Sequence, residues 1–373
     1  MIFELFDVHS KCVVSPDGKY VAVLRDSHTS ITVYDMCGYI KKCFNQHHQI
    51  ESFEWSANSD WIIIKYHPTC ENSHSIHSIN TSIDEDRNIT FQNMEMVKIS
   101  PDNNVVLAVS KFNKLHMTQL SELLNYMKDK YLSIIRDHSE DMMIINDIQW
   151  SPCSRKLVFI KTSIFNNVPT IFIYDFDKDF NLSKDVTEVS GYPDEPLKVK
   201  WTSDGKLIIC RTYSLHIYAK RPGNTFLDYS VFVNNSKNGA IKDVFPSPDG
   251  KKLLIVTKKR FCRSIALLAN IDVSTIDLKK LDSTINDGYV VATKLSSIDG
   301  NHVEWSSNSS NVLYVHRNRI AINNLVDNMV EFHTLFKHHI YSVGYMNDNH
   351  VMWIKYTKSM FPGTKKTKLI KFE

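Results

Sequence analysis

Across 373 residues the chain sets 44 Lys and Arg against 41 Asp and Glu, a formal net charge of +3, and is 43% hydrophobic and 23% charged. That composition belongs to a folded chain with a sizeable core rather than to a disordered one, and so small a charge makes no demand for a polyanionic partner, so nucleic acid is not expected. Apolar runs such as residues 61–64 and 252–256 are far shorter than the roughly 20 residues a membrane-crossing helix needs, and no membrane partner is expected.

The N-terminal stretch carries Glu4 and Asp7 where a secretory signal would be basic, and no long apolar segment follows. A cytoplasmic, intracellular protein is therefore expected. The seven cysteines (Cys12, Cys37, Cys43, Cys70, Cys153, Cys210 and Cys262) are odd in number and form no C-x-x-C pair. Free thiols in a reducing compartment fit this pattern better than a disulfide framework.

In chain order, one phrase recurs: an apolar strand, a Ser-Pro-Asp-Gly-like turn, and a second strand rich in Val, Ile and Leu. It opens with Ser15-Pro16-Asp17-Gly18 between residues 12–14 and 19–23, and returns as Trp55-Ser56-Ala57-Asn58-Ser59 and Ser100-Pro101-Asp102-Asn103. It continues as Trp150-Ser151-Pro152-Cys153-Ser154, Trp201-Thr202-Ser203-Asp204-Gly205, Ser247-Pro248-Asp249-Gly250 and Trp305-Ser306-Ser307-Asn308-Ser309. A worn eighth copy, residues 343–352, is centred on Asn347-Asp348-Asn349.

Proline fixes φ and the Asp-Gly or Asn-Ser pair supplies tight-turn chemistry, so each copy predicts an antiparallel hairpin. Third strands end in aromatic-Asp pairs, Tyr34-Asp35 and Tyr174-Asp175, and a more polar fourth strand follows, as in residues 38–44. Four strands per unit at intervals of about 40 to 60 residues describe the blades of a propeller. The expectation is an all-β, WD-repeat-type β-propeller forming one domain over residues 1–373, with eight blades, or seven if one worn unit is only a loop. The last unit offers strands at 341–345, 351–356 and 368–372, and residues 2–6 have no partner of their own. Lending that N-terminal strand to the last blade would pair both loose edges and close the ring.

Chemistry-bearing motifs are sparse. No Gly-x-Ser-x-Gly, phosphate-binding glycine loop, His-Glu-x-x-His or dinucleotide glycine fingerprint occurs. No catalytic or cofactor-binding residue and no metal site is expected. Cys70, His74 and His77 offer three metal-ligand types in a short stretch, but without the second half of a structural zinc site they read as a connecting loop. His47-His48 and His338-His339 precede first strands, where a buried structural or an exposed role is expected. Trp55, Trp150, Trp201 and Trp305 all stand just before the Ser or Thr of the turn, a placement suited to packing between blades. Basic runs at Lys251-Lys252, Lys258-Lys259-Arg260 with Arg263, and Lys365-Lys366 with Lys368 read as charged loops and edges.

One segment breaks the strand rhythm. In residues 119–131, Leu120, Leu123, Leu124, Met127 and Tyr131 recur at helical spacing and Ser121 stands ready as a cap. A short helix is predicted at the rim of the third unit, and Leu120, Leu123, Leu124 and Met127 are the candidate partner-binding residues.

The run from Phe3-Glu4-Leu5-Phe6 through Lys11-Cys12-Val13-Val14-Ser15-Pro16-Asp17-Gly18, with Gln49-Ile50-Glu51-Ser52-Phe53-Glu54-Trp55-Ser56, resembles the centrosomal and spindle-pole WD-repeat family that includes WD repeat-containing protein eight. Asp147-Ile148-Gln149-Trp150-Ser151-Pro152 and Val303-Glu304-Trp305-Ser306 fall in family-like places. The resemblance implies a non-enzymatic scaffold at the centrosome or spindle pole. There it would act with a coiled-coil anchoring protein and a minus-end-directed kinesin to tether microtubule minus ends. Two rival readings exist: an RNA- or ribosome-associated propeller scaffold of translation initiation, favoured by the basic runs, and the gating domain of an oligopeptidase, disfavoured because the repeats occupy the whole chain.

Overall fold

The computed structural model describes residues 2–3, 12–25, 28–35, 37–70, 72–79, 89–111, 114–125, 134–136, 143–163, 169–177, 182–189, 196–220, 226–232, 239–258, 264–272, 289–298, 303–317, 319–333, 339–345, 351–357 and 365–371. It falls into two compact units, one of Phe3–Asn146 with Lys161–Asn167, the other of Met1–Ile2, Asp147–Ile160 and Val168–Glu373. Among the described residues no helix is long and apolar enough to cross a membrane.

Strand β1 is Ile2–Phe3. The first sheet runs β2 (Cys12–Val14), β3 (Tyr20–Leu24), β4 (Ser30–Asp35), β5 (Ile40–Asn45), and the second β6 (Ile50–Trp55), β7 (Trp61–Tyr66), β8 (Asn72–Ser78), β9 (Ile89–Gln92). The third is β10 (Met94–Ile99), β11 (Val105–Ser110), β12 (Leu115–Gln119), β13 (Ile134–Arg136), with helix α1 (Leu120–Asn125) following β12.

The fourth sheet is β14 (Met143–Trp150), β15 (Lys156–Ser163), β16 (Pro169–Phe176), β17 (Leu182–Val189). The fifth is β18 (Pro196–Trp201), β19 (Leu207–Arg211), β20 (Leu215–Lys220), β21 (Phe226–Phe232). In the sixth, β22 (Ala240–Pro246), β23 (Lys252–Lys258) and β24 (Ser264–Asn270) are completed by β26 (Thr293–Ile298), while β25 (Tyr289–Val291) lies on the outer edge of the fifth sheet, parallel to β21. Sequence reasoning gave that sheet four strands; the fifth arrives from the long connection between β24 and β26. The seventh sheet is β27 (Val303–Trp305), β28 (Asn311–His316), β29 (Arg319–Asn324), β30 (Met329–His333). The last contains β31 (His339–Tyr345), β32 (Val351–Thr357) and β33 (Lys365–Lys371), in the order β1-β33-β32-β31.

Burial explains the sequence pattern. Second strands are covered on both faces, as in β11, where Val105 to Val109 are 0–2% exposed, so they read as unbroken apolar runs rather than as alternation. The outer β5 alternates, with only Lys42 and Phe44 buried. Adjacent sheets within each unit share cores: Ile31 and Val33 of the first meet Phe53, Ile62 and Ile64 of the second. Likewise Leu253 and Ile255 of the sixth meet Ile208 and Ile217 of the fifth. Each side chain so buried contributes about 1.5–3 kcal/mol.

Candidate functional site

In the first seven sheets the turn between first and second strands is the same device, and the corresponding turn of the last sheet lies outside the described residues. The amide of its fourth residue donates to the carbonyl of its first, at 2.8 Å for Gly18 to Ser15 and 2.9 Å for Gly250 to Ser247. That fourth residue has φ between +58° and +86° at Gly18, Ser59, Asn103, Ser154, Gly205, Gly250 and Ser309, the left-handed region that glycine enters freely and asparagine tolerates. The hydroxyl of the first residue is buried. Ser100 Oγ donates to Asp102 at 2.7 Å and accepts the Val105 amide at 3.0 Å. Ser247 Oγ donates to Asp249 at 2.6 Å and accepts the Lys252 amide at 2.9 Å. Burial works against the charge on Asp17 and Asp249, but the bonds from Ser15 and Ser247 and from nearby amides hold both carboxyls below the usual range.

Consecutive sheets are tied at these turns. The indole Nε1–H of Trp55 donates to the Val13 carbonyl at 3.0 Å, that of Trp305 to Phe245 at 2.9 Å, and that of Trp201 to Gln149 at 3.3 Å. Trp150 packs against Phe176 with centroids 5.6 Å apart, and its buried Nε1 has no hydrogen-bond partner among the described residues. A second tie joins turn to turn: the Asp17 amide donates to Ser59 Oγ and the Asp249 amide to Ser309 Oγ, both at 3.0 Å. Between the fifth and sixth sheets Lys206 does this work, pairing with Asp204 and donating to the Gly250 carbonyl at 3.1 Å. Asp204 Oδ1 lies 2.6 Å from where a Cβ on Gly250 would stand, so any larger residue would have to displace the carboxylate that pairs with Lys206.

Between the fourth and fifth sheets the residues at both positions of the turn-to-turn tie differ, and the accepting hydroxyl is the group that is lost. Cys153 stands where the other turn has Asp, and Gly205 where it has Ser, with nothing within 4 Å of its absent Cβ. A cleft of about 370 Å³ opens at this junction, walled by Ile173, Trp201, Leu207 and Tyr218 and rimmed by Cys153 and Asp204. Trp201, expected to be a core residue, is thus also a cleft wall.

First strands carry ion pairs to the neighbouring sheet. Lys98 meets Glu54 at 2.8 Å, and Asp243 takes Lys198 at 2.9 Å and Lys200 at 3.1 Å. Burial opposes the Asp243 charge, but the two lysines hold its carboxyl below the usual range. Burial, with Asp243 nearby, pushes the Cys210 thiol up to about 12, which leaves it an inert core thiol. Cys37, Cys43, Cys70, Cys153 and Cys210 are free.

His74 and His77 lie on β8 rather than on a connecting loop, and are 4% and 1% exposed. Their odd spacing on a strand directs them to opposite faces. His77 belongs to a buried network in which Tyr66 Oη meets Gln46 at 2.6 Å and Ser75 Oγ at 2.7 Å, and Ser75 Oγ meets His77 Nε2 at 2.9 Å. Cys70 packs instead on the core shared by the first two sheets. Among the described residues no cluster of His, Cys, Asp and Glu could hold a metal ion. Of the histidine pairs, His47 is exposed and His48 stands edge-on to Tyr66 at 5.8 Å; His338 lies outside the described residues.

Helix α1 begins at Leu120, ahead of Ser121, so Ser121 sits in its first turn rather than at its cap. Leu120 is 3% exposed and packs with Ile63, Val97 and Val106, and Leu123 packs against the same core. Leu120 cannot reach a partner without opening that core. The Leu124 side chain and Met127 lie outside the described residues. Of the basic runs, Lys251 is exposed and 3.8 Å from Asp272, while residues 259–263 and the side chains of 365–371 lie outside the description.

Exposed apolar side chains collect on the β29–β30 hairpin: Val326 is 73% exposed, Met329 64%, Val330 38% and Phe332 48%. β30 stands last in the order of its sheet and so sets an edge strand beside an apolar surface, a combination associated with partner strands.

No family model matches the sequence, and no curated protein matches it. Among solved structures the chain is similar to the C-terminal WD40 domain of Sif2, at 11% identity over 100% of this chain and 99% of that one, with a TM-score of 0.61. It is also similar to a eukaryotic initiation factor, at 13% identity over 99% and 87% with a TM-score of 0.60. Against Hsv2 of Kluyveromyces lactis the identity is 12% over 87% and 98%, and the TM-score 0.54. At such identities the likeness speaks to fold alone: these four-stranded antiparallel sheets are those of a WD40 β-propeller.

Proposed function

We propose that this WD40 β-propeller is a non-enzymatic scaffold that holds other proteins. The observation that carries the reading is the exposed apolar edge at Met329, Val330 and Phe332, in a chain whose described buried polar groups are largely engaged in turns and sheet-to-sheet ties. The finer reading rests on the sequence resemblance of the first two repeats: a scaffold at the centrosome or spindle pole, binding a coiled-coil anchoring protein and a minus-end-directed kinesin. The end of the predicted helix, with Leu124 and Met127, belongs to the same proposal as a contact for such a partner.

Proximity labelling with a tagged full chain in dividing cells, together with imaging of the tag, tests this. The expected result is a focus at spindle poles and enrichment of a coiled-coil protein that is reduced when Met329 and Phe332 are both changed to Ser. A diffuse signal with ribosomal proteins enriched would replace the finer reading with a translation scaffold, and no enriched protein at all would remove the scaffold.

A further inference from the structure

We infer that the cleft between the fourth and fifth sheets receives an aromatic side chain from a protein partner, an inference that rests on the scaffold reading. The cleft lies where the serine of the turn-to-turn tie is replaced by glycine. Where the turn-to-turn tie forms, an amide bonds a serine hydroxyl on the next turn, as Asp17 does with Ser59 and Asp249 with Ser309. At this junction Gly205 carries no hydroxyl at that position, and the space beside it is open, with Ser151, Cys153 and Ser203 also lining the cleft.

Size and polarity define the occupant. About 370 Å³ bounded by Ile173, Trp201, Leu207 and Tyr218 falls in the range of ligand-holding pockets, which are mostly apolar with a few polar groups at the mouth. The charges at the rim are already neutralised: Asp204 pairs with Lys206 and Lys156 with Asp175. An ionic ligand would find no unpaired counter-charge in these two pairs, whereas a neutral ring would meet the apolar lining of Ile173, Trp201, Leu207 and Tyr218. Aromatic anchors seated in such pockets are the groups that dominate protein interfaces.

The same repeat supplies the test. Serine holds φ near +60° at Ser59, Ser154 and Ser309, and asparagine at Asn103, so Gly205→Ser and Gly205→Asn can be accommodated in this turn and place atoms in the open space. The probe is N-acetyl-tryptophan amide, with N-acetyl-lysine amide as its charged counterpart, and the readout is the alkylation rate of Cys153 followed by peptide mass spectrometry. With a dissociation constant of order 1 mM for a single buried ring, about 5 mM probe should slow Cys153 alkylation roughly sixfold in the native chain. In both Gly205 variants it should have no effect, with thermal midpoints only a few degrees below that of the native chain, since φ of +86° at Gly205 strains any side chain. Saturation transfer to the aromatic probe should follow the same order.

Equal slowing by the lysine amide, equal slowing in the Gly205 variants, or none in the native chain would overturn the assignment. Such a failure removes the cleft and leaves the scaffold standing, whereas absence of partners in cells removes the scaffold whatever the cleft binds.

Discussion

Replacing Trp305 with alanine is expected to lower the unfolding free energy by about 3–5 kcal/mol, the range for deleting a large buried aromatic. The side chain is 8% exposed, lies in a core built from the sixth and seventh sheets, and donates its indole N–H to the Phe245 carbonyl at 2.9 Å. Trp305→Phe separates the two contributions. It keeps most of the apolar contact but withdraws the donor, and a carbonyl left without its partner costs about 1–3 kcal/mol. Urea unfolding of the three proteins measures both steps. A loss below about 1 kcal/mol for the alanine variant would mean that the indole is not a tie between sheets.

The second large effect depends on pH. Burial, with Lys65 and Lys98 adding to it, lowers the His74 pKa from 6.5 to about 4, and the ring is 4% exposed. Above pH 6.5 the ring is neutral in both folded and unfolded chains and costs nothing. As pH falls from there, the unfolded chain takes up a proton that the folded one refuses, so stability declines down to about pH 4 and then levels off for this group. A shift of this size corresponds to about 3 kcal/mol. Lys65 and Lys98 each stand beside a glutamate, Glu51 at 3.3 Å and Glu54 at 2.8 Å. His74→Phe removes the titration, and its stability should fall by about 3 kcal/mol less than that of the native chain between pH 7 and pH 4. Parallel pH profiles for the two proteins would contradict this.

What can be read from the sequence divides along physical lines. The hairpins are legible because their chemistry is local: a hydroxyl, a turn former two residues on and a residue able to hold positive φ lie within a few positions, as in Ser100-Pro101-Asp102-Asn103. The tryptophan ties are legible as a regularity, since Trp55, Trp201 and Trp305 each stand one residue before the buried hydroxyl. The parallel addition of Tyr289–Val291 to β21 is not legible, because it depends on where a long connection returns rather than on any short pattern.

The helix illustrates the same limit. Helical spacing finds Leu120 and Leu123 but cannot tell an inward face from an outward one, and the structure turns Leu120 into the core of the second and third sheets. The histidines fail for a related reason: on a strand, position relative to the turn decides burial, and His74 and His77 on β8 are buried while His47 is exposed. Aligning the turns brings out part of the cleft: Gly205 stands where Ser59 and Ser309 supply the hydroxyl of the inter-turn tie, and Cys153 stands opposite in the sequence pattern where the tie's amide belongs to Asp17 or Asp249. A glycine at that position is not enough by itself, since at Gly250 the Lys206 ammonium bridges the turns instead.

The central claim is that the repeated phrase is one physical device, and amide hydrogen exchange tests it most directly. The amides of Tyr20, Trp61, Val105, Lys156, Lys206, Lys252 and Asn311 each donate to the buried hydroxyl of their turn, at 2.8–3.0 Å. Exchange slowed by at least about 1,000-fold at all seven, relative to an unstructured chain, is the predicted result. Near-unstructured rates at several of them would contradict the account, because those turns would then be surface loops and not the clamps that hold first strand to second in each sheet.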